Sequence, residues 1–257
     1  MRLDPDHVRA RIAEWIWVPY EARTVETDEF LLIAYPAWFS DPTVATRWRS
    51  ERPADDLIDD VLDAARGLGR ESVNFFELSD TTRPPDLERR LRERGGELTE
   101  TLAILARDLT GGLPELDPPA DVEVRPIEDL ADVLALERLD HEVFGSELRP
   151  GSEVAEELAA KGPDPSQVLA FRDGVLLGYA GSTVAGDSLR LWGGGVAEAA
   201  RHTGVYRALL DHRLRAGAAA GCTVALVKGR LETSAPVLLR AGFERFDEVR
   251  AYRLGRR

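Results

Sequence analysis

Apolar residues recur with two clear periods along the chain, and the periods assign most of its elements. In DDLIDDVLDAARGLG, Leu57, Ile58, Val61, Leu62 and Ala65 fall on one face at a spacing of 3.6, which predicts an amphipathic helix. ESVNFFEL follows as a strand, PPDLERRLRERGG as a helix and ETLAILARDL as a strand. After a break, DVEVRPI (Asp121 to Ile127) alternates as a strand, and DLADVLALERLDHEVF is helical with Asp129 placed to cap it. SEVAEELAAKG predicts a helix from a Ser152 cap to a Gly162 stop. QVLAFRDGVLLGYAGSTVAGDSLRLWGGGV predicts three strands turning at Asp173-Gly174 and Gly186-Asp187. A helix from Gly204 to about Ala220 follows, with Tyr206, Leu210, Leu214 and Ala218 at helical spacing. CTVALVKG is nearly continuous apolar, as a buried central strand is; SAPVLLRAGF is a short helix closed by Gly242, and EVRAYRLGR a final strand.

The later order is therefore β-α-α-β-β-β-α-β-α-β, a mixed sheet in which a helical crossover makes the central strand pair parallel. Asp108 to Val124 concentrates Gly, Pro and acidic residues between periodic stretches, which predicts a linker at 113–120 between domains 1–112 and 121–257. The earlier domain echoes the later one. Its helix, strand, helix ending in glycine and strand repeat the order of Gly204 to Leu254, with Gly95-Gly96 standing where Ala241-Gly242 stands. RWRSERPADDL replaces the glycine-rich approach to the helix, so the earlier copy is expected to have lost any ligand site.

Composition narrows the class. The 257 residues are 44% hydrophobic and 31% charged, which fits a globular protein with a real core. No stretch approaches the roughly 20 apolar residues that span a bilayer, and the charged start lacks a signal-peptide core, so the expected location is cytoplasmic. The net charge of −13 disfavours nucleic acid and anionic membrane as partners and is compatible with a cationic substrate. The single Cys222 reads as a buried strand-end residue, and no Cys/His spacing indicates a metal.

Candidate chemistry concentrates in WGGGVAEAARHTGVYRALL, Trp192 to Leu210. A strand running through glycines into a helix start presents unpaired N–H groups at the positive end of a helix dipole, where a phosphate binds readily. Arg201 adds charge, Thr203 a hydroxyl and His202 a further donor; an ordinary connection with Thr203 as N-cap fits the same residues. The P-loop is excluded because no lysine follows Gly204, and the dinucleotide fingerprint because the glycine spacing differs.

Arg201-His202-Thr203-Gly204-Val205-Tyr206, the Val196 upstream of it, the crossover order and the closing Gly242-Phe243 together resemble the GCN5-related N-acetyltransferase (GNAT) superfamily. The family motif is [QR]-x-x-G-x-[GA], and Tyr206 stands where the motif has a small residue, so its ring would crowd a pyrophosphate. The resemblance implies a GNAT-like acyl-CoA N-acyltransferase fold of mixed α/β type in the later half, preceded by a smaller, degenerate GNAT-like α/β domain. It also implies acetyl-CoA as cosubstrate and transfer of its acetyl group to a primary amine of a small molecule or peptide. The pantetheine arm would enter where the strand opens at Gly193 to Gly195. Gly195, Val196, Arg201, His202, Thr203, Gly204, Val205 and Tyr206 would bind the cosubstrate, with the Val196 N–H facing the pantetheine or thioester oxygen.

Where the family has a proton-donating tyrosine this chain has Leu238. Catalytic candidates are then Glu142 and Glu232 as bases, with Glu198 also in range, and Ser234 as a proton donor, although surface carboxylates and a helix cap account for the same residues. His141 and His202 could titrate usefully. Tyr179, Trp192 and Phe144 would shape an acceptor pocket or fill the core. A catalytically inactive acyl-CoA-binding or regulatory module is the alternative reading, and a homodimer is compatible with either.

Overall fold

In this computed structural model, residues 3–36, 39 and 42–255 are described. The chain folds as two compact units that are not contiguous in sequence. The first is built from Pro5–Ile104, Gly229–Pro236 and the segment from Arg245 onward; the second is built mainly from Leu105–Lys228 and Val237–Glu244. These units cut across the division expected at the 113–120 linker.

The first unit starts with α1 (Pro5–Ala13) and the short strands β1 (Arg23–Glu26), β2 (Leu31–Ala34) and β3 (Thr43–Thr46), paired antiparallel in order. The amphipathic helix α2 (Ala54–Gly67) then crosses over to β4 (Ser72–Leu78), which pairs parallel with β3. Leu57, Ile58, Val61 and Ala65 of α2 are buried against Leu32 and Phe75, as the helical period predicts. α3 (Leu87–Glu93) and the first part of β5 (Glu97–Asp108) complete the early copy.

In the second unit β6 (Glu123–Pro126) is followed by α4 (Leu130–Phe144) and α5 (Gly151–Lys161). Asp129 caps α4 as expected, its carboxylate accepting from the Asp132 N–H at 3.0 Å. Ser152 does not cap α5. Pro150 holds the N-cap position because its fixed φ already suits a helix start, and Ser152 lies inside the first turn. β7 (Gln167–Arg172), β8 (Val175–Ala185) and β9 (Ser188–Val196) form an antiparallel meander through tight turns in which Asp173, Gly174 and Gly186 have positive φ. α6 (Val205–Ala219) crosses over to β10 (Val224–Arg230), which pairs parallel with β9. α7 (Ser234–Arg240) and β11 (Glu244–Gly255) follow. The strand expected to reach Arg256 is described as far as Gly255, and Arg256 lies outside the described residues.

Both units thus share one topology: an antiparallel meander, a helical crossover and a parallel strand. β11, the last strand of the later copy, pairs antiparallel with β4 of the first unit, from Arg250↔Leu78 to Gly255↔Ser72. Its Tyr252 and Leu254 are buried in that unit's core, and the Tyr252 hydroxyl donates to Glu88 at 3.0 Å. Apolar burial on this strand therefore selects a distant partner over the neighbour its sequence position suggests.

Candidate active site

β9 carries the strand end nearest the candidate site residues. Its parallel pairing to β10 runs only from Ser188↔Val224 to Leu191↔Val227, so its last five residues lie beyond the paired region. On its other side β9 stays paired with β8 to Gly178↔Val196. The Ala197 N–H donates to the Leu177 carbonyl at 2.9 Å. Hydrogen-bonded and non-hydrogen-bonded pairs alternate along an antiparallel ladder, so Gly178 and Val196 form a non-bonded pair. The Val196 N–H therefore points away from β8, into the gap where β10 has ceased to pair.

The glycines adapt β9 to aromatic rings. Between Tyr179↔Gly195 and Gly181↔Trp192, β8 has only Ala180 while β9 has Gly193 and Gly194, which is a β-bulge. Gly193 takes φ +56, open to glycine without strain. A Cβ on Gly194 would lie 3.0 Å from Cε2 of Tyr206 on α6, and one on Gly195 would lie 2.7 Å from Cε1 of Tyr179 and 3.4 Å from Phe144 of α4. Successive strand residues face opposite sides of a sheet, so the end of β9 has an α6 face and an α4 face. The Tyr206 ring turns onto the sheet.

That loop runs through a single 3-10 turn (Glu198–Ala200) and an exposed, extended Arg201 to His202 at φ +64. The Thr203 hydroxyl donates back to the Ala200 carbonyl at 2.8 Å, so it does not cap the helix. Gly204, at φ +93, is the N-cap, with no side-chain cap and no acidic residue in the first turn. The N–H groups that open α6 are consequently left to another acceptor. Pro119 rests on Gly204, where a Cβ would come within 2.5 Å of its Cγ, and Arg207 Nη1 donates to the Leu116 carbonyl at 3.2 Å.

Arg213 braces this arrangement from below. It is 2% exposed, its Nε donates to Leu209 O at 3.0 Å, and its Nη1 donates to Gly181 O at 3.0 Å and Trp192 O at 3.5 Å. Burial pushes the guanidinium below its usual range, and the neighbouring Tyr206 hydroxyl opposes that shift. The bulge is thereby tied to the helix that follows this loop.

Residues 130–243 match the Acetyltransferase (GNAT) family profile. They are a GNAT domain. Solved structures extend the fold likeness beyond the matched segment. A GCN5-related N-acetyltransferase from Kribbella flavida has a TM-score of 0.64 at 17% identity, covering 99% of this chain and 96% of its own. A second, from Sphaerobacter thermophilus, has a TM-score of 0.65 at 16% identity, covering 97% and 85%. A tandem GNAT protein from the clavulanic acid biosynthesis pathway has a TM-score of 0.54 at 15% identity, covering 95% and 86%. No curated protein matches the sequence. No helix among the described residues is long and apolar enough to cross a membrane.

The expected catalytic residues lie on different elements. Glu142 Oε1 accepts the Glu198 N–H at 3.3 Å, so it caps the 3-10 turn, and His141 Nδ1 lies 2.6 Å from the Ser146 carbonyl oxygen. Glu232 is exposed and Ser234 half-buried, and both belong to the first compact unit, whereas Gly195 to Tyr206 belong to the second. Leu238 is fully buried. Trp192 stacks over Gly181 and donates to the Thr183 hydroxyl at 3.0 Å. Sequence reasoning missed Asp140, whose carboxylate accepts from both the Tyr179 and the Ser146 hydroxyls. Only its place two residues before Glu142 on the same helix hinted at it.

The topologically equivalent place in the first unit is filled. β3 pairs with β4 at Val44↔Asn74 and Ala45↔Phe75; Trp48 then stacks on Phe75 at 5.4 Å between ring centroids and donates its indole N–H to Phe76 O at 2.8 Å. Beyond it Ser50 donates to Glu29 Oε1 at 2.6 Å, and Arg52 pairs with Glu29 and Asp60.

Proposed function

We propose that the GNAT domain is an N-acyltransferase that takes acetyl-CoA as cosubstrate and a primary amine of a small molecule or peptide as acceptor, reacting directly in a ternary complex. The observation that carries this reading is the Val196 N–H, directed into the gap beside β10 at the strand end that leads to an uncapped α6. An N–H so placed suits an acyl oxygen whose negative charge grows during attack. The opening N–H groups of α6, with Arg201 and His202 in the loop and Gly204 allowing close approach, suit a pyrophosphate. Gly195 and Val196 would line the arm, while Thr203, Val205 and Tyr206 shape the loop that holds it. The cosubstrate supplies an activated acyl thioester. The early copy, closed by Trp48, contributes structure and holds no second cosubstrate; with the 113–120 linker it accounts for residues 1–120. Its location would be cytoplasmic.

Leu238, apolar and buried where the family places a proton donor, favours one second reading: a module that binds acyl-CoA without turnover. Thermal unfolding with acetyl-CoA, followed by thiol release with a panel of amines, separates the two. At tenfold excess over Kd the ligand should stabilise the fold by about 1.4 kcal/mol. Absence of any shift with several acyl-CoAs refutes both readings; a shift without amine-dependent thiol release selects the binding module.

A further inference from the structure

On the α4 face of β9 an aspartate lacks a counter-ion. Asp140 is half-buried and meets only two hydroxyls, those of Tyr179 and Ser146; among the described residues no arginine, lysine or histidine pairs with it. Its neighbours on the same two helices are treated differently. Asp132 is paired with Arg125, and Glu137 and Glu157 with Arg149. A half-buried carboxylate held by two hydroxyls and no cation keeps acceptor capacity for a charged donor.

The two hydroxyls are fixed in place. Tyr179 is 4% exposed, with its ring over Gly195 and edge-on to Phe144 at 6.4 Å. The loop carrying Ser146 is pinned by Arg149, whose guanidinium grips Glu137 of α4 and Glu157 of α5. Burial first, and the adjoining Asp140 second, push the Tyr179 phenol above its usual range, so it remains a donor. Each Asp140 oxygen still has a lone pair to offer. Glu142, by contrast, is engaged at the Glu198 N–H.

We infer that Asp140, oriented by Tyr179 and Ser146, binds the ammonium group of a cationic primary-amine acceptor and takes a proton from it. The inference rests on the acyltransferase reading above. One N–H proton of the ammonium passes to an Asp140 oxygen, and the freed lone pair attacks the thioester carbonyl carbon. The C–N bond forms and the C–S bond breaks with its electron pair on sulfur. The remaining surplus proton on nitrogen passes, through water, to the thiolate, and Asp140 returns its own proton to solvent. Tyr179 and Ser146 act as positioning residues.

The test uses the full chain, with acetyl-CoA binding measured first by thermal shift; no shift in the wild type defeats the acyltransferase reading before any amine is added. Thiol release is then followed with n-butylamine, glucosamine, spermidine and lysine amide, all cationic, and with hydroxylamine, which is neutral at neutral pH. Asp140→Asn should lower kcat/KM for the cationic amines by about 100-fold and hydroxylamine turnover by no more than about threefold, with KM for acetyl-CoA unchanged. Equal losses on both kinds of nucleophile, or no release with any cationic amine despite acetyl-CoA binding, overturn the inference. Tyr179→Phe, which keeps the carboxylate, should show the same selectivity with a smaller loss of about tenfold. A second readout needs no cosubstrate: n-butylammonium should move the amide resonances of Asp140 and Ser146 in the wild type and not in Asp140→Asn. Unmoved wild-type resonances overturn the inference.

Discussion

Arg213 Nη1 donates to the Gly181 carbonyl at 3.0 Å, a bond from the middle of α6 to the β8 side of the bulge, and among the described residues no carboxylate pairs with it. Backbone carbonyls of β8, β9 and its own helix do that work instead. Arg213→Met keeps most of the apolar bulk and removes every donor, so the buried carbonyls of Gly181 and Trp192 lose a partner. A loss of about 3 kcal/mol, read from the urea midpoint, is expected. Arg213→Lys should recover less than half of it, since one ammonium cannot reproduce the fork.

The contact of Gly195 with the Tyr179 ring sets a second expectation. A methyl at Gly195 meets Cε1 of Tyr179 at 2.7 Å, too close for the ring to remain. Gly195→Ala should cost about 1–3 kcal/mol as overpacking. In a double-mutant cycle with Tyr179→Ala, most of that cost should vanish, and additive losses would contradict the geometry.

Gly204 is a poor probe of anion binding. Its φ of +93 and its contact with Pro119 make Gly204→Asp a structural lesion whatever the loop binds. Arg201 is exposed and extended, so Arg201→Gln should leave the unfolding temperature unchanged and weaken acetyl-CoA binding by about three- to tenfold, measured by calorimetry.

Asp132 supplies the acid sensitivity. Bidentate hydrogen bonds from Arg125, at 2.6 and 2.9 Å, hold its carboxyl below the usual range despite its burial. A folded pKa depressed in this way contributes stability above the unfolded value, near 3.9, and that contribution is lost as pH falls through the folded value. Asp132→Asn should therefore cost about 2–3 kcal/mol at neutral pH and give a flatter stability profile below about pH 4. Equal slopes for the two proteins in acid would refute the assignment.

Much of this was legible in the sequence. Local signals carried the Asp129 cap, the turns at Asp173-Gly174 and Gly186, and the α6 crossover, because each is decided within a few residues. Where two local signals competed the reading failed: Pro150 took the cap position from Ser152. Arg213 was illegible because an arginine between His212 and Leu214 on a charged helix stretch looks solvent-exposed, and only the three-dimensional path of β8 and β9 brings carbonyls to it. The partner of β11 was illegible for the same reason, since no property of EVRAYRLG distinguishes β4 from any other strand edge. Asp140 was illegible because its hydroxyl partners Tyr179 and Ser146 come from another strand and from the loop after its helix.

The pairing of β11 with β4 also orders events during synthesis. Residues 23–78 leave the ribosome early, yet the strand that completes their sheet is made only after more than 160 further residues, from Ser79 to Phe243, have emerged. The unit begun first is finished last, and until then β4 offers an open edge beside an incomplete core. Charged residues of α3, Glu88 among them, wait beside that edge for Arg250 and Tyr252. A nascent chain stalled within the GNAT domain would carry an unfinished sheet behind it, so this architecture ties the safety of the early half to the speed with which the later half is translated.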